Sequence, residues 1–254
     1  MHTSCRSNKS NSVSNALVTK SKIVVIIPAK NEAKAIGHVL DDLPKGIKQV
    51  IVVDNASSDD TAAVARNHGA FVLEEPRSGY GYACKKAMLY LSQKQESQPE
   101  ERPDIVVFLD GDYSDYPEYL KALVTPIIAN ECDLVIGARQ SELMEKGAMT
   151  LPQRFGNWLA TFLMRHIFKA TYTDLGPFRA IDYQALMALN MVDNTYGWTI
   201  EMQLKALKHK LRYQEIPVPY RNRIGVSKVS GTIKGVVMAG IKILGWIGKY
   251  ALKS

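Results

Sequence analysis

The sequence predicts an α/β fold in which a mostly parallel sheet carries helices on both faces. Short apolar runs alternate with helical patterns along the first half of the chain, and this alternation is typical of parallel sheets. The runs are apolar throughout, as expected for strands that are covered on both faces. Each run ends in a polar segment, and ligands of such folds bind beyond the carboxyl ends of the strands.

The first two predicted strands and the polar segments behind them repeat one arrangement. The first strand covers residues 23–27 and ends in the segment 28–32, and the second covers residues 50–53 and ends in the segment 54–61. Each is followed by a helical pattern, the first of which places Ile36, Val39, Leu40 and Leu43 on one side. We therefore expect both polar segments to lie at one edge of the sheet.

Two further predicted strands extend the same pattern. Residues 71–73 lead into a glycine-containing segment, 77–83, and then into a helix with Ala87 and Leu91 on one side. Residues 105–109 form the fourth apolar run, which Asp-Gly-Asp follows at once. Four polar segments would then share one rim of the sheet.

Asp110 and Asp112 are candidates for a metal site. Side chains two residues apart point the same way in an extended chain, so both carboxylates can reach one point beyond the strand. Hard oxygen ligands suit Mg²⁺ or Mn²⁺, which proteins usually share with a substrate diphosphate. The acidic pair therefore indicates a metal that carries a nucleotide.

Length and composition indicate one globular domain between two shorter terminal segments. The domain is predicted at residues 22–230 of the 254, with a nucleotide-binding half, 22–133, and an acceptor half, 134–230. Residues 1–21 are rich in Ser and Asn and are predicted to be a disordered polar tail. The three cysteines have no metal-like spacing, so we expect a reducing compartment.

Positive charge is concentrated in the second half of the chain. The net charge is +7 overall, −3 for residues 1–133 and +10 for residues 134–254. We expect the basic half to face phosphorylated lipid or a membrane surface. Clustered Lys and Arg also occur in nucleic-acid-binding proteins, but no nucleic-acid motif is present, and no nucleic-acid partner is expected.

Residues 231–254 are predicted to form an amphipathic helix that lies in the membrane interface. Its uninterrupted apolar runs are far shorter than the ~20 residues that a spanning helix needs. Trp246 and Tyr250 would lie at the boundary, and the lysines would point toward headgroups within a sector of roughly 100°. These lysines are Lys234, Lys242, Lys249 and Lys253. The alternative is a helix that packs on the sheet or on a second copy of the chain, as in a homodimer.

With these motifs in view, the chain resembles the family 2 glycosyltransferases of the GT-A fold. The resemblance is closest to the branch similar to dolichyl-phosphate mannosyltransferase, which transfers sugars to polyprenyl phosphates. It covers residues 22–230 roughly and rests on the combination and order of the motifs. It implies a GT-A type, Rossmann-like sheet and a DXD metal motif at Asp110 and Asp112.

The resemblance also implies a nucleotide-sugar site. Pro28 and Glu32 would border the nucleoside, and Val52 and Asp54 match positions that hold the base and ribose. The implied donor-binding residues are Pro28, Lys30, Glu32, Val52, Asp54, Arg77, Gly79, Asp110, Gly111, Asp112, Arg221, Arg223 and Lys228. Arg221 and Arg223 compete for one role over the donor pyrophosphate.

Further matches imply an acceptor-phosphate site in the basic half. Arg139, Arg154 and Ser227 are the implied phosphate-binding residues. Asp174 opens a segment, 174–179, that is similar to a family motif. The resemblance implies catalytic roles for Asp112, Asp174 and Arg139.

The sequence therefore predicts a metal-dependent inverting glycosyltransferase that moves a hexose from a nucleotide sugar to a polyprenyl (dolichyl-type) phosphate. The divalent ion would stabilise charge on the departing diphosphate. Arginines could present bidentate donors to the acceptor phosphate, which is already an anion and needs no general base. Inversion at the anomeric carbon is implied by the resemblance alone. The enzyme would be cytoplasmic and peripheral on the cytoplasmic face of a membrane.

Three alternatives remain open at this point. A polysaccharide or small-molecule hydroxyl acceptor would need a general base, for which Asp174 is the best candidate. A sugar-phosphate nucleotidyltransferase would need a Gly-rich loop, which is missing after Ile27. A non-catalytic, membrane-associated module would bind nucleotide without turnover.

Overall fold

A seven-stranded sheet forms the centre of the protein. The computed structural model describes residues 21–225 and 233–252. Residues 1–20 of the predicted tail lie outside the described residues, as do Ser227 and Lys228. The strands are β1 (Ile23–Ala29), β2 (Gln49–Asp54), β3 (Phe71–Glu74), β4 (Ile105–Phe108), β5 (Leu134–Met144), β6 (Arg179–Asp182) and β7 (Tyr213–Tyr220).

The sheet is mostly parallel, as predicted, with one reversed strand. The order across the sheet is β3-β2-β1-β4-β6-β5-β7. Strands β1 to β4 pair with one another in parallel, and β5 pairs in parallel with β7. Strand β6 runs antiparallel between β4 and β5. It joins the nucleotide-binding half of the chain to the acceptor half.

Helices cover both faces of this sheet, which confirms the predicted fold class. The helices are α1 (Ile36–Asp41), α2 (Thr61–Asn67), α3 (Tyr80–Ser97), α4 (Leu120–Ile128), α5 (Leu151–Phe168), α6 (Tyr183–Ala188), α7 (Trp198–Lys208) and α8 (Ile233–Ala251). Helices α1, α2 and α4 pack on one face, and α3, α5, α6, α7 and α8 contribute to the core on the other.

Strand β1 shows why the predicted strands are apolar without alternation. All seven of its residues are buried. Val24 and Ile26 belong to the core on one face, whereas Ile23, Val25 and Ile27 belong to the core on the other, because successive side chains point to opposite faces. Burial of each such side chain contributes about 1.5–3 kcal/mol.

The C-terminal helix α8 lies against the protein with one side and leaves the other side open. Its Ile247 is buried in the core, while Met238, Ile241 and Leu244 are exposed. Trp246 is buried too, at 8% exposure, so its predicted place at a membrane boundary is wrong. Its indole N–H bonds to the buried Asp193 instead. None of the helices that the structure describes combines the length and apolar character needed to cross a bilayer.

Candidate active site

The predicted polar segments meet around one cavity at the carboxyl ends of β1, β2 and β4. β1 lies between β2 and β4 and pairs with both in parallel, so the three strands end at the same edge. The cavity beyond this edge has a volume of about 740 Å³. The predicted residues that line it are Pro28, Lys30, Glu32, Gly79, Asp110, Gly111, Asp112, Arg139 and Arg223.

Asp110 lines this cavity, and one of its carboxylate oxygens is buried. Its Oδ1 atom is buried and has no hydrogen-bond partner in the described part of the chain. Burial, and then the neighbouring carboxylate of Asp112, raise the pKa of Asp110 to about 7, because a charge withdrawn from water beside a like charge is unfavourable. A divalent cation would satisfy this oxygen and remove the repulsion.

Asp112 is held in place by groups on both sides. Its Oδ1 accepts hydrogen bonds from the backbone N–H and the hydroxyl of Ser114, at 2.9 and 2.5 Å. Its Oδ2 forms an ion pair with the guanidinium of Arg223, and its backbone oxygen accepts the N–H of Ile224 at 3.0 Å. The chain after β7 is therefore fixed directly over the acidic pair.

The carboxylates of this site suit a cation whose coordination is completed by a substrate. Within residues 21–225 and 233–252, no group of three His, Cys, Asp or Glu side chains is arranged to hold a metal by itself. Mg²⁺ is usually bound through one or two carboxylates together with substrate phosphates. Asp110 and Asp112 therefore suit a metal that is shared with a diphosphate.

Asp115 is a third carboxylate near this pair, which the sequence interpretation missed. It is 2% exposed, and neither of its oxygens has a hydrogen-bond partner among the described residues. Burial raises its pKa well above the usual range, and the charges of Asp110 and Asp112 add to the effect. Its position three residues after Asp112 was the available signal, but the sequence did not reveal its burial.

Asn55 joins the two predicted segments that border the nucleotide side of the cavity. Its amide donates to the backbone oxygen of Arg77 at 2.7 Å and accepts the N–H of Gly79 at 2.7 Å. Lys30 donates to the hydroxyl of Ser78 at 2.7 Å. These bonds bring the segment after β1 and the segment before α3 to one side of the cavity.

Four of the predicted donor-binding residues that the structure describes do not line the cavity, namely Val52, Asp54, Arg77 and Arg221. Val52 is fully buried in β2, between Ile27 of β1 and Val72 of β3. Asp54 ends β2, and the next residue, Asn55, lines the cavity in its place. Arg77 directs its guanidinium to Glu75 at 2.7 and 2.9 Å. Donor contact by Val52, Asp54 and Arg77 stays a prediction.

Arg139 and Asp174 form a buried pair at the other side of the cavity. The guanidinium donates to both carboxylate oxygens at 2.7 and 2.8 Å, and the Arg139 backbone N–H donates to Oδ2 at 2.8 Å. Burial alone would lower the pKa of Arg139, but the carboxylate of Asp174 outweighs burial and raises it. Arg139 therefore stays cationic, and Asp174 fixes its guanidinium in place. Because both carboxylate oxygens of Asp174 are bonded to Arg139, the arrangement does not favour Asp174 as a general base.

The competition between Arg221 and Arg223 has a geometric answer. Arg221 lies over the rings of Tyr113 and Tyr116, with its guanidinium carbon 3.3 and 4.2 Å from their centroids. It also donates to the backbone oxygens of Tyr113 and Asp115 at 2.6 and 3.1 Å. Arg221 therefore fixes the loop after β4, and Arg223 is the arginine that lines the cavity.

The remaining predicted phosphate-binding residues lie elsewhere or outside the described ranges. Arg154 is exposed on α5 and does not line the cavity, whereas Gln153 and Asn157 do. Asn157 accepts the N–H of Leu175 at 2.8 Å and so ties α5 to the loop after Asp174. Ser227 and Lys228 are not among the described residues. Phosphate contact by Arg154, Ser227 and Lys228 stays a prediction.

Solved structures show the same fold. A crystal structure of glucosyl-3-phosphoglycerate synthase from Mycobacterium tuberculosis, in complex with Mn²⁺, uridine diphosphate and phosphoglyceric acid, superposes with a TM-score of 0.74 at 19% identity. The match covers 94% of this chain and 82% of that one. The predicted Mg²⁺ or Mn²⁺ cofactor agrees with the ions in such complexes, since another contains Mg²⁺ and uridine diphosphate.

Sequence comparison gives closer relatives. An uncharacterised glycosyltransferase of Mycobacterium tuberculosis is 33% identical over 220 residues, which cover 85% of this chain and 94% of the relative. The dolichyl-phosphate hexose transferase of Haloferax volcanii is 33% identical over 220 residues, which cover 83% and 88%. Residues 24–190 match the model of the family described as glycosyl transferase family 2, and the chain is therefore a glycosyltransferase of that family.

Proposed function

We propose that this enzyme is a metal-dependent, inverting hexosyltransferase that moves a sugar from a nucleotide sugar to a polyprenyl phosphate. The observation that carries the proposal is the composition of the cavity. One side presents the acidic pair Asp110 and Asp112 with Arg223, and the other presents Arg139. Apolar residues of α5 and α8 line the rest, including Phe155, Leu159, Ile243 and Leu244.

In this proposal the donor diphosphate binds at the acidic pair. A divalent ion bound there would neutralise charge on the departing diphosphate as a Lewis acid. Asp110 and Asp112 would hold it from the protein side. Arg223 forms an ion pair with Asp112 and lines the cavity, so its guanidinium would be available to a bound diphosphate if a cation neutralised Asp112 instead.

In this proposal the acceptor phosphate binds at Arg139. A fixed guanidinium offers bidentate donors to phosphate oxygens, and Asp174 orients it from behind. A phosphate oxygen then attacks the anomeric carbon while the bond from that carbon to the diphosphate breaks, and the electron pair leaves with the nucleoside diphosphate. No proton needs to be removed, which agrees with an Asp174 whose oxygens are already bonded to Arg139.

In this proposal the lipid part of the acceptor binds between α5 and α8. Phe155 and Leu244 both line the cavity and are both exposed, at 60% and 44%, so the cavity wall continues into an open apolar surface. A soluble phosphorylated acceptor would not need such a surface. The name of the Haloferax volcanii relative, a dolichyl-phosphate hexose transferase, supports the same acceptor class.

The same surface supports a peripheral place on a membrane. One exposed side of α5 carries four large apolar residues, which are Leu151, Phe155, Trp158 and Phe162, and Ile167 is exposed near the end of the helix. Arg154 and Arg165 are exposed on the same helix, Lys169 is exposed directly after it, and all three could meet anionic headgroups. Helix α8 packs against α5 and adds Met238 and Ile241 to the apolar surface. We call this surface the α5–α8 face.

The cytoplasmic side is the proposed location. The two cysteines among the described residues, Cys84 and Cys132, are buried free thiols, which agrees with a reducing compartment.

The proposal is tested by nucleoside diphosphate release. Purified protein with Mn²⁺ is incubated with a panel of nucleotide sugars, with and without a short-chain polyprenyl phosphate. We expect release from one donor that depends on the lipid phosphate, and loss of this release in Arg139→Met. Release that is equally fast with a hydroxyl acceptor or with phosphoglycerate, and is indifferent to polyprenyl phosphate, would contradict the acceptor assignment.

A further inference from the structure

Asp193 is a buried carboxylate, outside the predicted sites, that links α8 to a loop beside the cavity. Its side chain is 1% exposed. Oδ1 accepts the backbone N–H groups of Thr195 and Gly197 at 2.7 and 3.1 Å. Oδ2 accepts the indole N–H of Trp246 at 2.9 Å and faces the ammonium of Lys242 at 3.4 Å. The loop 192–197, here the Asp193 loop, is thereby bound to α8.

The other side of the Asp193 loop supports residues 78–82, which are here the donor loop. Asn194 accepts the N–H of Tyr82 through its backbone oxygen at 3.0 Å, and Lys85 donates to the backbone oxygen of Val192 at 3.1 Å. A Cβ atom on Gly81 would lie 2.1 Å from the backbone oxygen of Asp193. The two loops are therefore in direct backbone contact, which only glycine permits at this position.

The contact between the Asp193 loop and α8 is just as close. A Cβ atom on Gly197 would lie 2.4 Å from the indole nitrogen of Trp246 and 2.6 Å from Oδ2 of Asp193. Glu201, at the start of α7, accepts the N–H groups of Val192 and Asp193 at 2.8 and 2.7 Å. The loop is thus held from α7 and from α8, and a shift of either helix would move it.

Both loops contribute to the cavity. Ser78, Gly79 and Tyr80 line it from the donor loop, and Thr195 and Tyr196 line it from the Asp193 loop. Gly79 is a predicted donor-binding residue and is bonded to Asn55 on its other side. The path from Trp246 to the donor side of the cavity therefore consists of two contacts, Trp246 to Asp193 and the Asp193 loop to the donor loop.

We propose that Trp246 and Asp193 are positioning residues for the nucleotide donor, so that α8 sets the geometry of the donor loop. This inference rests on the proposed donor site. Neither side chain lines the cavity, so each acts through the two loops. The role differs from that of the exposed residues Met238 and Ile241 of α8, which belong to the α5–α8 face.

The test is a double-mutant cycle on nucleotide affinity. Trp246→Phe keeps an aromatic ring and removes the indole N–H, and Asp193→Asn keeps the size of the side chain and removes its charge. Binding of UDP and of GDP in the presence of Mn²⁺ is measured by calorimetry for wild type, both single variants and the double variant. The matched control is Tyr183→Phe, a buried aromatic substitution at the opposite edge of the sheet, where the Tyr183 N–H bonds to Asp104 before β4.

We expect each single variant to bind the diphosphate roughly threefold to tenfold more weakly, and the double variant to be no weaker than the worse single variant, since both act through one contact. Tyr183→Phe should bind like wild type. Melting temperatures, measured in parallel, separate this effect from loss of folding.

Unchanged affinity in both single variants would overturn the inference, as would losses that multiply in the double variant or a loss of equal size in Tyr183→Phe. Wild-type protein that binds neither diphosphate with Mn²⁺ would instead contradict the proposed function itself.

Discussion

Asp110 combines two properties of a metal ligand, a place at the wall of the cavity and a buried oxygen without a hydrogen-bond partner among the described residues. Its pKa is raised to about 7 by burial and by Asp112. Below that pH the carboxyl keeps its proton in the metal-free protein, and an incoming cation must displace it. The chemistry of the site therefore depends on pH near neutrality.

Mn²⁺ affinity in the presence of nucleoside diphosphate should fall as the pH decreases below about 7, by up to about tenfold per pH unit, and should level off above it. Calorimetry in two buffers of different ionisation enthalpy should detect release of a proton on binding below that pH. Asp110→Asn has no proton to release and should bind Mn²⁺ far more weakly. An affinity for Mn²⁺ that does not change between about pH 5 and about pH 8 would contradict the assignment of Asp110 as a metal ligand.

The variant Asp174→Asn distinguishes two roles for Asp174, that of a residue which positions Arg139 and that of a general base. The substitution removes the charge that faces a buried guanidinium, so we expect a loss of about 3 kcal/mol in the free energy of unfolding. The KM for polyprenyl phosphate should rise while kcat is retained in large part. Urea denaturation and steady-state kinetics measure the two effects. Near-total loss of kcat with normal acceptor KM would instead identify Asp174 as the base of a hydroxyl-acceptor enzyme.

At the residue scale, motif spacing predicted which types of side chain meet at the cavity but not how they are paired. Asp110, Asp112 and Arg139 were assigned to the cavity and line it. The choice between Arg221 and Arg223 could not be made, because it depends on Tyr113 and Tyr116, which lie more than a hundred positions earlier in the chain. Pairing of this kind is set by tertiary contacts and leaves no local signal.

At the scale of elements, α5 is the helix whose ends and faces matter most for the proposal. It begins with a capping box, in which Thr150 accepts the N–H of Gln153 and the Gln153 side chain accepts the Thr150 N–H at 2.8 Å. The helix carries the apolar wall of the cavity on one side and the exposed aromatic residues on the adjoining side, and Phe155 belongs to both. Trp158 lies against Phe162, with ring centroids 5.4 Å apart.

Thr150→Ala should lower the free energy of unfolding by about 1 kcal/mol, because one N-terminal N–H group of α5 loses its partner. Thermal or urea unfolding measures this effect. Thr150→Ser keeps the hydroxyl and should be close to wild type. Equal losses in both variants would show that the capping hydrogen bond is not what stabilises the start of α5.

Apolar periodicity predicted β1, β2, β3 and β4 to within two residues at either end. Strands β1 and β4 are buried throughout and β2 is buried at its centre, whereas β3, at the edge of the sheet, is partly exposed. Strand β6 was not predicted, because four residues, Arg179–Asp182, carry too little pattern and its antiparallel place depends on β4 and β5. The amphipathic character of α8 was predicted, but the burial of Trp246 was not. Asp193, its partner, lies 53 positions away and gave no sequence signal.

At the scale of the whole molecule, the α5–α8 face and the mouth of the cavity lie on the same side of the protein, since Phe155 belongs to both. The proposal requires the protein to bind a membrane with this side, so that the phosphate of a lipid acceptor reaches Arg139. The net charge of +10 over residues 134–254 favours an anionic membrane surface. Attraction of this kind weakens as salt screens it, whereas apolar insertion does not.

Flotation with vesicles of phosphatidylcholine and phosphatidylglycerol should recover the wild-type protein, and pure phosphatidylcholine should recover less. Trp158→Ser with Phe162→Ser should reduce recovery by about tenfold, because two exposed aromatic residues leave the interface. Phe71→Ser, an exposed aromatic substitution on β3 away from this face, is the control and should float like wild type. Equal recovery of all variants would contradict the α5–α8 face as the membrane contact.

The central claim is that Asp110 and Asp112 hold a divalent cation together with the donor diphosphate. A crystal of the protein with Mn²⁺ and a nucleoside diphosphate, measured for anomalous scattering from manganese, tests it directly. We expect one anomalous peak within about 2.2 Å of a carboxylate oxygen of this pair, with diphosphate oxygens completing the coordination and Arg223 turned from Asp112 toward the phosphates. A diphosphate bound in the cavity without manganese at these carboxylates, with Arg223 still paired to Asp112, would contradict the account.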